Sequence, residues 1–401
     1  MTFRLTARCV RGLEWLLAAQ VAELAAAVGS SVHVQALAER QVTFTAAEAD
    51  ARWLSLSTAD DVLLDLGTLY GIDHTRAAVP ELARQLARVD FGPGLRTVRR
   101  VQQRPQVPPG ARFDVVAALL GRRNYNRFAV EDAAGEVIAR AVGARYVSRN
   151  PAAGRGERAE TAESEFTVRL ALSGETVEVA LRVPRRPLHR RPWKLDTGPG
   201  TLHPPLAAAL ALIGGGAASP PAAILDPFCG DGTVAIEAAL AYPGAAVTAA
   251  DLDARRVANA RANAERAGVA ARTRLIRADA GRPVWRERGF ELLVTNPPWN
   301  RAVGAAGALA DGLDAFWRTT PDALAACGRI CTVADADLDV PARLRRRGYS
   351  VALAQSIRLA GRVSHLILAA PPHAAEVALP AALGQWRERA AKAAIVTESG
   401  F

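Results

Sequence analysis

The chain has 401 residues, half of them hydrophobic and 22% charged. That length suggests two or three domains, and the composition excludes wholesale disorder. The net charge is +10, and all but two of the 50 basic residues are arginine, a balance that suits a polyanionic partner. No uncharged apolar run approaches the about 18 residues of a membrane span. Glu14 and Glu23 interrupt the apolar stretch behind the N-terminal arginines, so no signal peptide is expected. Four cysteines are too few for a disulfide scaffold and lack the spacing of a metal site. The expectation is a cytoplasmic protein with no metal, no membrane contact and no obligate protein partner, active as a monomer.

The alternation of residues 3–7 predicts a short strand. An amphipathic helix is expected over 13–28, ended by Gly29. Strands over 32–37 and 41–45 follow, then a helix over 46–56 and a strand over 61–68, together a small α+β domain. Further on, a strand runs to Gly121, and a basic loop spans 122–127. A helix over 131–142 stops at Gly143, a loop spans 149–160, and residues 165–172 and 175–183 alternate as a hairpin around Ser173-Gly174. After residue 195 the pattern changes. A helix over 206–213 runs into three glycines. Apolar strands over 223–225, 246–250, 273–277 and 291–295 then alternate with helices over 233–240 and 253–267. This predicts a parallel sheet covered on both faces.

Two stretches concentrate charge. Residues 95–150 hold 11 arginines against 4 acids, and 182–194 hold six basic residues and no acid. Each phosphate that such a cluster contacts releases counterions, so a nucleic acid is the expected partner. The candidate contacts are Arg122, Arg123 and Arg127 in the loop, and Arg185, Arg186, Arg190, Arg191 and Lys194 in the second stretch.

The clearest motif is Ile224-Leu-Asp226-Pro-Phe-Cys-Gly230-Asp-Gly232-Thr233, between a strand and a helix. Its glycines allow a tight turn and close approach of backbone to ligand. The glycine pattern alone fits NAD as well as S-adenosylmethionine. Asp226, ahead of the glycines, can take the ammonium of a methionine moiety but would repel a pyrophosphate. Asp251, 19 residues after Gly232, can accept from both ribose hydroxyls, and Asp279 can accept from the exocyclic amine of adenine. The second motif, Asn296-Pro297-Pro298-Trp299, ends a strand, because two prolines cannot continue one. The Asn296 side-chain oxygen and the Pro297 carbonyl can both accept from one NH2 group, which favours its pyramidal, nucleophilic form. Trp299 can stack on a flat ring.

These motifs resemble a class I S-adenosylmethionine-dependent methyltransferase that modifies a planar amino group. Residues 112–143, the hairpin and Pro187-Leu-His-Arg-Arg-Pro-Trp-Lys194 resemble a THUMP RNA-binding domain and its exit segment. Gly200-Thr-Leu-His-Pro-Pro-Leu resembles the lead-in to the catalytic domain, and residues 1–90 resemble the ferredoxin-like domain that precedes THUMP. The whole resembles the THUMP-containing RNA guanine N2-methyltransferases. The implied α/β organisation is a ferredoxin-like domain over 1–90, THUMP over 91–183, a linker over 184–205 and a Rossmann-like methyltransferase domain over 206–401. The implied cofactor site comprises Asp226, Pro227, Phe228, Gly230, Gly232, Thr233, Asp251, Asp279, Ala280 and Asn296. The implied catalytic group is Asn296, Pro297, Pro298 and Trp299, and the implied substrate is tRNA at its acceptor stem. The family's usual Tyr-Gly after Asn-Pro-Pro is Trp299-Asn300 here, and Pro192-Trp193 replaces a Gly and Tyr of the exit segment. Alternative readings are a ribosomal RNA guanine, an adenine N6 amine, a protein glutamine amide, or an RNA-binding protein with an inactive catalytic domain.

Overall fold

The computed structural model describes residues 2–104, 108, 110–151, 164–195, 197–216, 220–299, 303–359 and 361–396. Most of the loop expected over 149–160, and Asn300, lie outside the described residues.

The N-terminal half runs β1 (Phe3–Arg8), α1 (Glu14–Ala26), β2 (Val32–Ala38), β3 (Gln41–Ala46), β4 (Asp61–Tyr70), α2 (Ala78–Leu86), α3 (Gly92–Val101), β5 (Arg112–Leu119), α4 (Arg127–Val142), β6 (Arg145–Tyr146), β7 (Phe166–Ser173) and β8 (Thr176–Arg182). These eight strands form one sheet in the order β2-β3-β1-β4-β8-β7-β5-β6. The boundary expected at residue 90 leaves no break in it. β4 pairs antiparallel with β8 from Leu63↔Arg182 to Tyr70↔Thr176. Leu5, Phe44 and Trp53 share one apolar core with Phe113, Val168 and Leu181. Residues 1–90 and 91–183 are thus joined through the sheet rather than standing as separate units.

Two local expectations are corrected. The helix expected over 46–56 is a 3-10 turn, Ala51–Ser55. Ala46 is still paired in β3, opposite Phe3 and Val32, and the Asp50 carboxylate caps the turn by accepting from Arg52 N. Helix α1 is not amphipathic in the simple sense. Leu17 and Val21 enter the core of the eight-stranded sheet, while Trp15 and Leu16 enter the core of the C-terminal half. A helix covered on two sides is apolar on both. Its buried Glu14 carboxylate accepts from Gly12 N at 2.8 Å and Arg40 N at 2.7 Å, and burial raises its pKa.

The C-terminal half runs α5 (Pro204–Gly215), β9 (Ala223–Asp226), α6 (Thr233–Ala241), β10 (Ala246–Asp251), α7 (Ala254–Arg266), β11 (Thr273–Arg277), β12 (Phe290–Thr295), α8 (Asp314–Ala323), β13 (Leu324–Asp335), α9 (Val340–Arg346), β14 (Ser350–Leu359), β15 (Arg362–Ala370) and α10 (Ala381–Lys392). Its seven strands follow the order β11-β10-β9-β12-β13-β15-β14. The expected parallel sheet holds for β11 through β13, but β15 is antiparallel to both neighbours because it returns from β14 as a hairpin. Helix α10 comes back across the molecule, where Trp386 touches both cores and Arg389 donates to the Val34 carbonyl at 3.0 Å. No described helix is long and apolar enough to cross a membrane.

Candidate cofactor and amine site

The strand order reverses on either side of β9, where the chain leaves towards β10 on one flank and β12 lies on the other. Ligands of open α/β sheets bind at such a switch point, outside the carboxyl ends of the strands. Both sequence motifs end there. Asp226 closes β9 and is fully buried. Its Oδ1 accepts from Thr295 Oγ1 at 2.7 Å and from Phe228 N at 3.3 Å, while Oδ2 has no hydrogen-bond partner. Burial, aided by the nearby Asp251 charge, pushes the Asp226 carboxyl up to about 7. An ammonium placed on Oδ2 would satisfy that atom and draw the group back to its ionised form.

Gly230 and Gly232 sit at φ 53° and 86°, the left-handed region that a side chain disfavours. A Cβ on Gly232 would lie 3.0 Å from Ala260 Cβ of α7, so the loop also needs glycine for packing. Thr233 opens α6 with its hydroxyl buried and without a partner. Pro227 is buried, and Phe228 meets Phe316 edge to face at 4.9 Å. Asp251 closes β10, where its Oδ2 accepts from Gly230 N and its Oδ1 from Asp253 N, both at 2.9 Å. Both oxygens thus accept from backbone N–H groups, and Asp251 shapes the glycine loop. Asp279 is more committed. It accepts from Gly281 N and Ala308 N, each at 2.8 Å, which ties the loop around residue 308 over it beside buried Ala280.

Asn296 follows β12. Its Nδ2 donates to the Gly200 carbonyl at 3.0 Å, and its Oδ1 is buried without a partner. Pro297 is buried, and Pro298 is half-buried. Trp299 is half-buried against the core of the C-terminal half, and its indole N–H also lacks a partner. Sequence reasoning missed Asp231, between the two glycines. It is 4% exposed, pairs with Arg256 at 3.2 Å, and accepts from Gly198 N and Thr201 Oγ1 at 3.3 Å each. A carboxylate inside the glycine loop was the available signal.

The expected RNA contacts divide. Arg122 and Arg127 are exposed, the latter 4.6 Å over the Phe128 ring. Arg123 is not available as expected. Its guanidinium donates to the Ile72, Asp73 and Gly174 carbonyls and to Tyr125, pinning the loop to the β7–β8 turn. Arg191 is likewise turned inward, held by Glu237 at 2.6 Å and by the Leu188 and Ser57 carbonyls. Arg185 pairs with Glu165 at 3.8 Å, Arg186 and Arg190 are exposed, and burial lowers the pKa of Lys194. The two clusters stand at opposite ends of β8, whose seven residues separate them by roughly 20 Å.

With this geometry in hand, the relatives can be placed. Residues 191–364 match the family model described as an RMKL-like methyltransferase domain. A tRNA (guanine(6)-N2)-methyltransferase of Thermus thermophilus is 32% identical over 201 residues, 50% of this chain and 55% of that protein. A tRNA (guanine(10)-N2)-dimethyltransferase of Methanothermobacter thermautotrophicus is 32% identical over 180 residues, 45% of this chain and 51% of that protein. The chain thus spans about half the length of these curated relatives. The crystal structure of TrmN from Thermus thermophilus superposes with a TM-score of 0.67 at 26% identity, over 92% of this chain and 99% of that one. The C-terminal half has the class I methyltransferase fold, over residues that match an RMKL-like methyltransferase domain.

Proposed function

We propose that this chain transfers a methyl group from S-adenosylmethionine to the exocyclic N2 amine of a guanosine in tRNA. The observation that carries the reading is the set of buried polar atoms left unpaired at the carboxyl ends of the neighbouring strands β9 and β12. Asp226 Oδ2 suits the cofactor's ammonium, and Asn296 Oδ1 suits the target amine. The residues present therefore fit the cofactor. Bound there, it supplies an activated methyl sulfonium, so no protein nucleophile is required. Asn296 Oδ1 and the Pro297 carbonyl accept from the amine hydrogens, and Trp299 stacks on the base. A base within a stem must be flipped out at a cost of a few kcal/mol, of which stacking on Trp299 returns about 1–3 kcal/mol. The eight-stranded half serves as the RNA-capturing, THUMP-containing part, with Arg122, Arg127, Arg186 and Arg190 as its exposed contacts.

Nucleoside mass spectrometry of small and ribosomal RNA from a deletion strain tests this. Loss of N2-methylguanosine from the small-RNA fraction is the expected result. Loss from ribosomal RNA moves the substrate to the ribosomal branch, loss of N6-methyladenosine replaces the base, and unchanged RNA refutes the reading.

A further inference from the structure

Residues 198–203 cross the candidate site between the basic exit segment and α5. At the start of this stretch, Asp231 accepts from Gly198 N and Thr201 Oγ1. Arg256 of α7 bonds that carboxylate at 3.2 Å and donates to the Pro199 carbonyl at 2.7 Å. At the far end, His203 Nε2 lies 2.6 Å from Oδ1 of Asp60, the residue preceding β4 in the other half of the molecule. Between these anchors Gly200 has φ 75°, and its carbonyl takes the N–H of the Asn296 side chain. A carbonyl oxygen can only accept. Gly200 therefore decides which end of the Asn296 amide faces the chain and which end faces the site. The NH2 is spent on Gly200, and Oδ1 is the atom left buried and unpaired.

We propose that residues 198–203 are a positioning strap that orients the Asn296 carboxamide towards the target amine, with Asp231 and Arg256 as its positioning residues and Asp60–His203 as its tether to the eight-stranded half. The proposal rests on the role given to Asn296 above. Without the Gly200 carbonyl, half a turn about the last side-chain bond would present a donor to an amine that needs an acceptor. The strap removes that alternative before substrate arrives, which is where positioning contributes most to rate. It also gives the short Gly-Pro-Gly-Thr stretch, otherwise a plain connector, a reason for its backbone: Gly200 adopts a left-handed conformation, and a Cβ there would press on Val303.

The test uses the full chain. Arg256→Met removes the cation that anchors the strap and keeps most of the stem, Arg256→Lys keeps the charge, and Thr201→Val is the milder probe should Arg256→Met fold poorly. The assay is single-turnover methyl transfer to small RNA from a strain lacking this protein. Arg256→Met should slow it about 10–100-fold with the KM for RNA little changed, and Arg256→Lys should recover part of the loss. Calorimetric affinity for S-adenosylhomocysteine should stay within about threefold of wild type, because the strap acts on Asn296 rather than on the cofactor. In protein labelled with 15N at asparagine, the Asn296 side-chain signal, assigned by its loss in Asn296→Gln, should shift in Arg256→Met with no RNA present. That signal separates the strap from the function: if wild type methylates no RNA, the functional reading fails while the amide shift still decides the strap. An unmoved Asn296 signal overturns the proposal. So does a loss of S-adenosylhomocysteine affinity as large as the loss of rate, which would make Arg256 a support of the glycine loop instead.

Discussion

The candidate site at the ends of β9 and β12 and the basic exit segment were both singled out by residue type, and they are built on opposite terms. At the candidate site, Asp226 Oδ2, Thr233 Oγ1, Asn296 Oδ1 and Trp299 Nε1 are buried with no partner. In the exit segment, Arg191 gives its guanidinium to Glu237, Leu188 and Ser57, leaving it little capacity for a ligand. A buried polar atom without a partner costs about 1–3 kcal/mol. A group of them at the carboxyl ends of neighbouring strands is what a candidate binding place presents. A saturated arginine marks the reverse, charge recruited to hold two halves of a molecule together. Counting arginines does not distinguish these cases; asking where each donor goes does.

The largest expected effect is on the structural side. Arg191→Ala leaves Glu237, 3% exposed, without its cation, which should cost about 3–5 kcal/mol of stability. Urea unfolding would register this as a lower midpoint, while the salt dependence of RNA binding should hardly move. A stable variant that binds RNA poorly would break the comparison and return Arg191 to the RNA surface.

Next is Asn296→Ala, the counterpart at the candidate site. Turnover should fall about 100–1000-fold, the scale of one preorganised contact at a reacting group. Stability should change little, because the unpaired Oδ1 is removed together with the hydrogen bond to the Gly200 carbonyl. Single-turnover rates set against thermal unfolding check both halves of that statement.

Asp226→Asn sharpens the point through pH. The Asp226 carboxyl in the folded protein titrates near 7, above its ordinary 3.8, because burial disfavours the charge. A group raised in this way contributes stability that is fully present below its unfolded pKa and lost as pH rises through the folded one. The variant should therefore match wild type near pH 4 and exceed it above pH 7, by on the order of 2–4 kcal/mol. Its affinity for S-adenosylhomocysteine should drop at the same time. Identical pH profiles of Tm for the two proteins would count against a strained carboxylate.

The smallest effect belongs to the exposed arginines. Arg122→Glu with Arg127→Glu should leave Tm alone and reduce the slope of log affinity against log salt by about two phosphate contacts. An unaltered slope would remove the far end of the eight-stranded sheet from the RNA path.

By itself the sequence determined the glycine loop between β9 and α6, the exit of the chain from β12 at Asn296-Pro297-Pro298, and the α/β alternation around them. These follow from local rules: a left-handed turn wants glycine, a proline pair ends a strand, and apolar strands followed by helices cover a parallel sheet. Tertiary structure decided the rest. It joined residues 1–90 and 91–183 through the β4–β8 pairing, buried α1 on two sides, reversed β15, and turned Arg123 and Arg191 inward. It also gave the Asn296 amide to Gly200. The physical reason is separation along the chain. Arg191 and Glu237 are 46 residues apart, and Gly200 and Asn296 are 96 apart. Residue type states what each group can donate or accept, but only the folded chain brings it to the group that answers.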